Sequence, residues 1–283
     1  MSESKNNIAI LVQACDRYEF LFQGFDYFFS RHWNFKIPGK YYFATEEKEV
    51  KINGFENIQS GSGAWADRLA YLLKNKIDED YILYFQEDMW LSKPVDPHFF
   101  TKLFDLMKEN NWNQVKLHSA DVYKTKATDL FIDGFNVTEI DNQKSDYLMS
   151  HQVTLWRKDF LLAQLHKNEH PWRNERRATR RLKKLNPQIL HIDYFAENGC
   201  AEINENKTVE NRSEYHAVSF NSTLNFNVVE YIKLLQKGNA EQKKYADALQ
   251  NHYDNNLTHD GKPKPKKEDI FKRFKNWFLK KKK

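Results

Sequence analysis

Two adjacent carboxylates, Glu87 and Asp88, interrupt an apolar stretch that reads YILYFQEDMWL from Tyr81 to Leu91. Apolar residues resume at once, so the pair is held between two segments that want burial. A solvated strand end is the plainer reading of such a dipeptide. The sharper reading is a strand that delivers negative charge to a hard divalent cation, Mg2+ or Mn2+, which takes oxygen ligands and keeps waters and substrate phosphates in its shell. Carboxylates kept from water without a partner are costly, and that favours a site with a counter-charge. Further along, Glu175 lies in HPWRNERR. An acid there can pair with Arg176, Arg177 or Arg180 on its own helix.

These residues need elements to position them. Residues 8–14 (IAILVQA) suit a fully buried parallel strand. A helix follows, with Phe20, Leu21, Phe25, Phe28 and Phe29 at helical spacing in spite of Gly24. Strands are predicted at 40–47, weakly at 55–58, at 81–86, 113–119 and 188–196, and around 215–219. Helices are predicted after the Gly/Ser loop GSGAWADRLAYLL, at about 97–110, after SHQVTLW, over the basic stretch 173–184, and within 226–254. Strands alternating with helices argue for an α/β layer structure with a mixed, mostly parallel sheet. In such sheets ligands bind beyond the carboxyl ends of the strands. Cys15-Asp16-Arg17 and Gln86-Glu87-Asp88 would then open onto one edge.

The whole chain, 283 residues with 40% hydrophobic and 15% aromatic content, can bury a large core. Its two cysteines, Cys15 and Cys200, give neither zinc spacing nor a disulfide framework, which suits a reducing compartment. The first apolar run is far shorter than the roughly 20 residues needed to span a bilayer, and nothing resembles a cleavable leader. A cytoplasmic body is the expectation. The net charge of +5 is unevenly spread: ten lysines and one arginine fall between Lys262 and Lys283, against Glu268 and Asp269. The body is therefore mildly acidic.

The order VQACDRYEFLFQGFDYFF, then GSGAWADRLAYLL and DEDYILYFQEDMWL, then SHQVTLWRKDFLLAQL and HPWRNE resembles the nucleotide-sugar glycosyltransferases of GT-A fold, in particular bacterial enzymes of surface polysaccharide assembly. The resemblance runs over roughly residues 8–220. It implies a Rossmann-like sheet that binds the nucleotide and an acidic strand end that holds the metal of the diphosphate. Asp88 matches the final acid of that motif, Glu87 stands in its middle, and Gln86 replaces its first acid, which weakens the case for metal. Asp16 and Arg17 match the part that grips base and ribose. Asp67 and Arg68 match the helix start that faces base or diphosphate, although Asp67 also suits a helix N-terminus. The fork of Arg68 suits phosphate or carboxylate. His151 and Gln152 match a stretch facing donor or acceptor. Glu175 takes the place of the acceptor base, which implies inversion. Trp172 offers an apolar platform for a sugar ring or a core side chain. His216 would be a neutral third metal ligand, or a structural histidine.

On this reading residues 1–225 form the catalytic domain, 226–257 are helices packed on it, and 258–283 are a basic linker and helix. In the last segment Ile270, Phe271, Phe274, Trp277 and Phe278 fall on one helical stripe beside Lys272, Arg273, Lys275 and four final lysines. Such a helix lies on an anionic membrane surface, here the inner face of the plasma membrane, or packs on the body. The expected partners are a nucleotide-sugar donor and a lipid-linked or surface glycan. The Arg-rich stretch 173–184 could neutralise a lipid-linked diphosphate or an acidic saccharide, or be a solvated face. A nucleotidyltransferase, a non-catalytic sugar-binding relative and a nucleic-acid-binding protein are the alternatives. The first lacks a Gly-rich phosphate loop, and the last lacks any recognised motif and has an acidic body.

Overall fold

The computed structural model describes residues 7–119, 122–200 and 212–264. The predicted membrane-surface stripe from Ile270 to Phe278 lies outside them. The chain divides after Val218 into two compact units.

The first unit is α/β, with a Rossmann-like mixed sheet. Its elements are β1 (Ile8–Gln13), α1 (Phe22–His32), β2 (Lys40–Thr45), β3 (Glu56–Gln59), α2 (Trp65–Asn75), β4 (Tyr81–Gln86), β5 (Met89–Leu91), α3 (Pro97–Glu109) and β6 (Gln114–His118). There follow β7 (Thr125–Ile132), β8 (Phe135–Ile140), β9 (Thr154–Arg157), α4 (Lys158–Gln164), α5 (Pro171–Leu185), β10 (Leu190–Glu197) and β11 (Ser213–Ala217). The strand order is β3-β2-β1-β4-β9-β6-β10-β11-β5, with the β7–β8 hairpin joined to β10 through β8. The parallel character is concentrated in β3-β2-β1-β4. Strand β9 is antiparallel to both neighbours and so brings β6 parallel to β4. Strands β10 and β11 continue in that sense. The carboxyl ends of β1, β2, β4, β6 and β10 and the amino end of β9 therefore meet at one edge.

The core is strongly aromatic. Phe22, Phe25 and Phe29 of α1 recur at i, i+3 and i+7 and bury their rings against the sheet. Phe25 and Phe29 stack at 5.0 Å, and Phe29 meets Phe85 of β4 edge-on at 5.7 Å. Full burial of each such ring contributes about 1.5–3 kcal/mol.

Gly24, which lowers the helical propensity of α1, has a packing reason. A Cβ there would lie 2.1 Å from the indole of Trp90 on β5. Trp90 is fully buried and stacks on Phe28 at 5.4 Å. Gly24 thus lets an indole press on the helix backbone. The strand that carries Trp90, three residues long, was not legible as a separate strand. It begins directly after the Glu87-Asp88 turn and pairs with β11 at the far end of the sheet.

The second unit contains the hairpin β12 (Ser219–Phe220) and β13 (Thr223–Leu224), then α6 (Val228–Gln236) and α7 (Ala240–Asp254). Helix α7 starts with a capping box in which Asn239 and Gln242 satisfy each other's backbone amides.

The Trp90 contact is testable. Gly24→Ala is expected to destabilise the protein by about 1–3 kcal/mol through overpacking, read as a lowered midpoint in urea. Unchanged stability would show that Trp90 can move aside.

Candidate active site

Strand β4 and strand β5 are both buried, and the two residues between them form a tight turn. Glu87 and Asp88 are therefore fixed by what flanks them. The indole N–H of Trp90 donates to the Glu87 carbonyl at 3.2 Å, and the Val218 N–H donates to the Asp88 carbonyl at 3.0 Å. The Glu87 side chain is 4% exposed and accepts the Cys15 N–H at 3.3 Å. No ion pair reaches either carboxylate among the described residues. Burial, then the neighbouring Asp88, pushes Glu87 well above the usual carboxylate range, and burial pushes Asp88 up to about 6.

Beside the pair, the ends of β1 and β2 are clamped together. The Asp16 carboxylate accepts the backbone amides of Glu46, Glu47 and Lys48 at 2.8, 2.9 and 3.0 Å. Glu46 returns the contact by accepting the Asp16 N–H at 3.2 Å, and it pairs with the guanidinium of Arg68 at 2.8 Å. Arg68 is 7% exposed, and its Nε has no partner. Its charge bears on both Glu87 and Cys15. Arg17 is exposed, over the Tyr18 ring at 5.5 Å. Asp67, in the first turn of α2, accepts the Asn168 N–H at 3.0 Å and so ties α2 to the loop before α5.

Helix α5 starts at Pro171, whose fixed φ suits a first helical position. It ends at Asn186 in the left-handed region (φ 49°). Asn174, Ala178, Thr179 and Leu182 face inward. Two side chains one turn apart, Glu175 and Thr179, hold the loop before β9. Thr179 Oγ1 accepts from the amides of Leu148 and Met149, and Glu175 Oε1 accepts from that of His151 at 3.0 Å. Among the described residues Oε2 of Glu175 has no hydrogen bond, and the residue is half-buried. Burial raises the pKa of Glu175, opposed by the His151 amide and Lys116. The alternative of an ion pair on its own helix is not realised. Arg177 and Arg181 go instead to Glu169, at 3.6 and 3.2 Å.

Tyr84 connects the two acidic centres. It lies on β4 just before the turn, and its ring centre is 6.2 Å from that of His151. Burial raises its hydroxyl well above the ordinary value, and the charges of Glu87, Glu175 and Asp88 add to the shift. The hydroxyl itself donates to Gln13 Oε1 at 2.8 Å, so the three carboxylates act on it through their charge and not through a hydrogen bond.

The remaining predicted residues are placed as follows. The His151 ring is buried against Trp65, 4.2 Å between centres, and its Nε2 has no partner. Burial, then Lys116, lowers its pKa to about 3, so it is a neutral ring. Gln152 accepts the Tyr215 hydroxyl at 2.8 Å. Trp172 is 56% exposed at the start of α5, edge-on to His170, and is not a core side chain. His216 lies 3.8 Å from Glu214, and among the described residues no three His, Cys, Asp or Glu side chains gather as metal ligands. The oxygen donors on offer to a hard cation are thus the Glu87-Asp88 pair. A buried and a half-buried carboxylate without an ion-pair partner among the described residues fit a magnesium-type ion whose other ligands come from water and phosphate.

Three residues of the edge escaped sequence reading. Glu46 ends β2 and holds Arg68. Glu197 ends β10, where burial and then Glu175 raise it to about 7. Lys116 of β6 is 0% exposed, donates to Ser150 Oγ at 3.0 Å and lies 5.0 Å over the Tyr123 ring. Burial lowers its pKa to about 7, while Glu175 pulls the other way. The signal for Lys116 was present: Gln114, Lys116 and His118 alternate with Val115 and Leu117, which puts three polar groups on one face.

No protein-family model and no curated protein matches the chain. Among solved structures it is similar to S. aureus TarS 1-349, at TM-score 0.45 and 10% identity over 87% of this chain and 71% of that one. The same fragment in complex with UDP gives TM-score 0.46 and 10% identity, over 86% and 70%. S. aureus TarS gives 0.45 and 11%, and there the match covers 87% of this chain but 43% of that chain.

Glu197 allows a test that is independent of function. Its folded pKa of about 7 exceeds the ordinary 4.5, so the folded state holds a proton that the unfolded state releases between those values. Stability attributable to Glu197 is full below pH 4.5 and falls as pH rises through 7. Glu197→Gln is expected to be about 1–2 kcal/mol more stable than the parent at pH 8, after discounting for residual solvent, and equal to it near pH 4.5. Denaturation at the two pH values checks this.

Proposed function

We propose that the protein is a glycosyltransferase that moves a sugar from a nucleotide diphosphate donor to a hydroxyl of a lipid-linked or surface glycan. The observation that carries the reading is the Glu87-Asp88 turn held between two buried strands at the carboxyl edge of a mixed sheet, with Glu175 held by the His151 amide in the loop that leads into β9 at the same edge. That edge is where open α/β sheets bind ligands. One acidic centre suits a cation and diphosphate, and the other suits an attacking hydroxyl.

In this reading Arg68, buried and with Nε unpaired, offers a donor to the diphosphate. Asp16 contributes indirectly, by fixing the 46–48 backbone that rims the donor side. Glu87 and Asp88 would hold Mg2+ or Mn2+, which when bound neutralises charge on the leaving diphosphate. Glu175 is held through one oxygen and keeps the other for the acceptor proton. Attack of the acceptor oxygen on the anomeric carbon breaks the bond to the diphosphate, and the proton passes to Glu175. A single displacement of this kind inverts configuration. Trp172, exposed on the same helix, is the platform for an acceptor ring. The basic segment 265–283 would keep the enzyme on the anionic face of a membrane.

A panel of nucleotide sugars tested for thermal stabilisation with and without Mn2+ addresses the donor. At least one is expected to raise the melting temperature, and Asp88→Ala to remove the metal-dependent part. No stabilisation by any nucleotide sugar would overturn the proposal. Glu175→Gln is expected to keep donor binding and lower transfer about 10²–10⁴-fold; full turnover by that variant would remove Glu175 from the role.

A further inference from the structure

The second unit exposes two large aromatic side chains close together in sequence. Phe220, at the end of β12, is 62% exposed, and Phe226, just after β13, is 73% exposed. The turn between the strands, Asn221-Ser222, has both residues in the left-handed region (φ 53° and 64°). That is the geometry of a tight two-residue hairpin, which holds Phe220 at a fixed tip. Leu224, Val228, Tyr231 and Ile232 of the same unit are buried, whereas these two rings are left exposed.

The basic segment begins at the same hairpin. Thr223 bridges to Thr258, Leu257 bridges to Pro263, and Lys264 Nζ donates to Thr223 Oγ1 at 3.1 Å. The chain therefore leaves the described residues beside the strand that separates Phe220 from Phe226. Residues 265–283 carry eight lysines and one arginine against Glu268 and Asp269, with Phe271, Phe274, Trp277 and Phe278 among them.

We propose that Phe220 and Phe226 are a second, folded part of a membrane-docking surface, inserting into an anionic lipid bilayer beside the root of the basic segment. Exposed rings on a rigid tip add apolar insertion to the electrostatic attraction that lysines alone supply. A single weak anchor gives only marginal, reversible binding, whereas two together give a stable one. An acidic protein partner would match the lysines but leave the two rings without a reason. Nucleic acid would need stacking platforms within a basic groove, and the hairpin itself carries no basic side chain between Ser219 and Asn227.

The test uses the full chain and co-sedimentation with vesicles of phosphatidylcholine alone or mixed with phosphatidylglycerol. The parent protein is expected to bind only the mixed vesicles. Phe220→Ser with Phe226→Ser is expected to weaken that binding roughly tenfold, with an unchanged melting temperature, since neither ring is buried. Replacing Lys280, Lys281, Lys282 and Lys283 by Gln should weaken binding further and reduce its salt dependence, which the Phe pair should not alter. Binding of the double Phe variant at parental strength would overturn the proposal, as would tight binding to RNA without binding to mixed vesicles. Vesicle binding is read without donor or acceptor, so its outcome is separate from that of the transferase assay.

Discussion

Everything at the candidate site depends on a turn that cannot relax. Glu87 and Asp88 join two strands that lie in different parts of one sheet, and both strands are buried. Strand β4 is locked between β1 and β9, and β5 is locked against β11 and, through Trp90, against the backbone of α1 at Gly24. A carboxylate in an ordinary loop would swing toward water and regain its hydration. Here the flanking segments forbid that, and the cost appears as carboxyl groups pushed toward the protonated form. Besides the Cys15 amide on Glu87, what holds them in place is the aromatic packing around α1 and Trp90.

The second acidic centre is built by a different device. The loop before β9 lies between a helix and a buried cation. Thr179 and Glu175 take three of its amides from one side, and Lys116 reaches Ser150 from the other. Lys116 has no exposed surface, so it cannot be replaced by a water or a mobile ion. Its charge lowers the pKa of Glu175, while burial raises it. Glu197 faces the same region and shares the strain, since the two acids disfavour each other's ionisation. The site is thus a balance between one buried cation and two partly buried acids, reached from three separate elements.

The fold was largely legible because its signals are local. Apolar runs at 8–14 and 81–86 and the helical spacing of Phe25, Phe28 and Phe29 each report on their own segment. The position of the candidate site was marked in the sequence where a strand ended on charge, as at Glu87-Asp88, whereas Asp16, matched to the base and ribose, holds the 46–48 backbone. It was less legible where a residue gains its role from a distant partner. Glu46 reads as one acid in a loop of acids; pairing of β1 with β2 sets it beside Asp16, and the placing of α2 brings Arg68 to it. Lys116 sits in a segment read only as a strand, and the fold buries its side chain between Ser150 and the Tyr123 ring. Asp67 was assigned to the donor from its place at a helix start, and the structure gives it a backbone amide on the far loop instead. The reason is the same in each case: sequence spacing fixes which face a side chain takes, but not what lies across from it.

The departure at Gln86 has a physical rationale in this charge balance. Gln86 ends β4 and is the register partner of Gln13 at the end of β1. Around that point the edge already carries Glu46, Glu87, Asp88, Glu175 and Glu197, against two buried cations, Arg68 and Lys116. Arg68 is spent largely on Glu46, and burial pushes Lys116 toward its neutral form. A third carboxylate beside Glu87 and Asp88 would add repulsion where both are already driven toward the neutral acid. A neutral amide leaves the pair as acidic as the surroundings tolerate. The same balance bears on the proposed donor: a diphosphate brings further negative charge to an edge with an excess of its own. In the proposed reading a cation held by Glu87 and Asp88 would offset that charge together with Arg68.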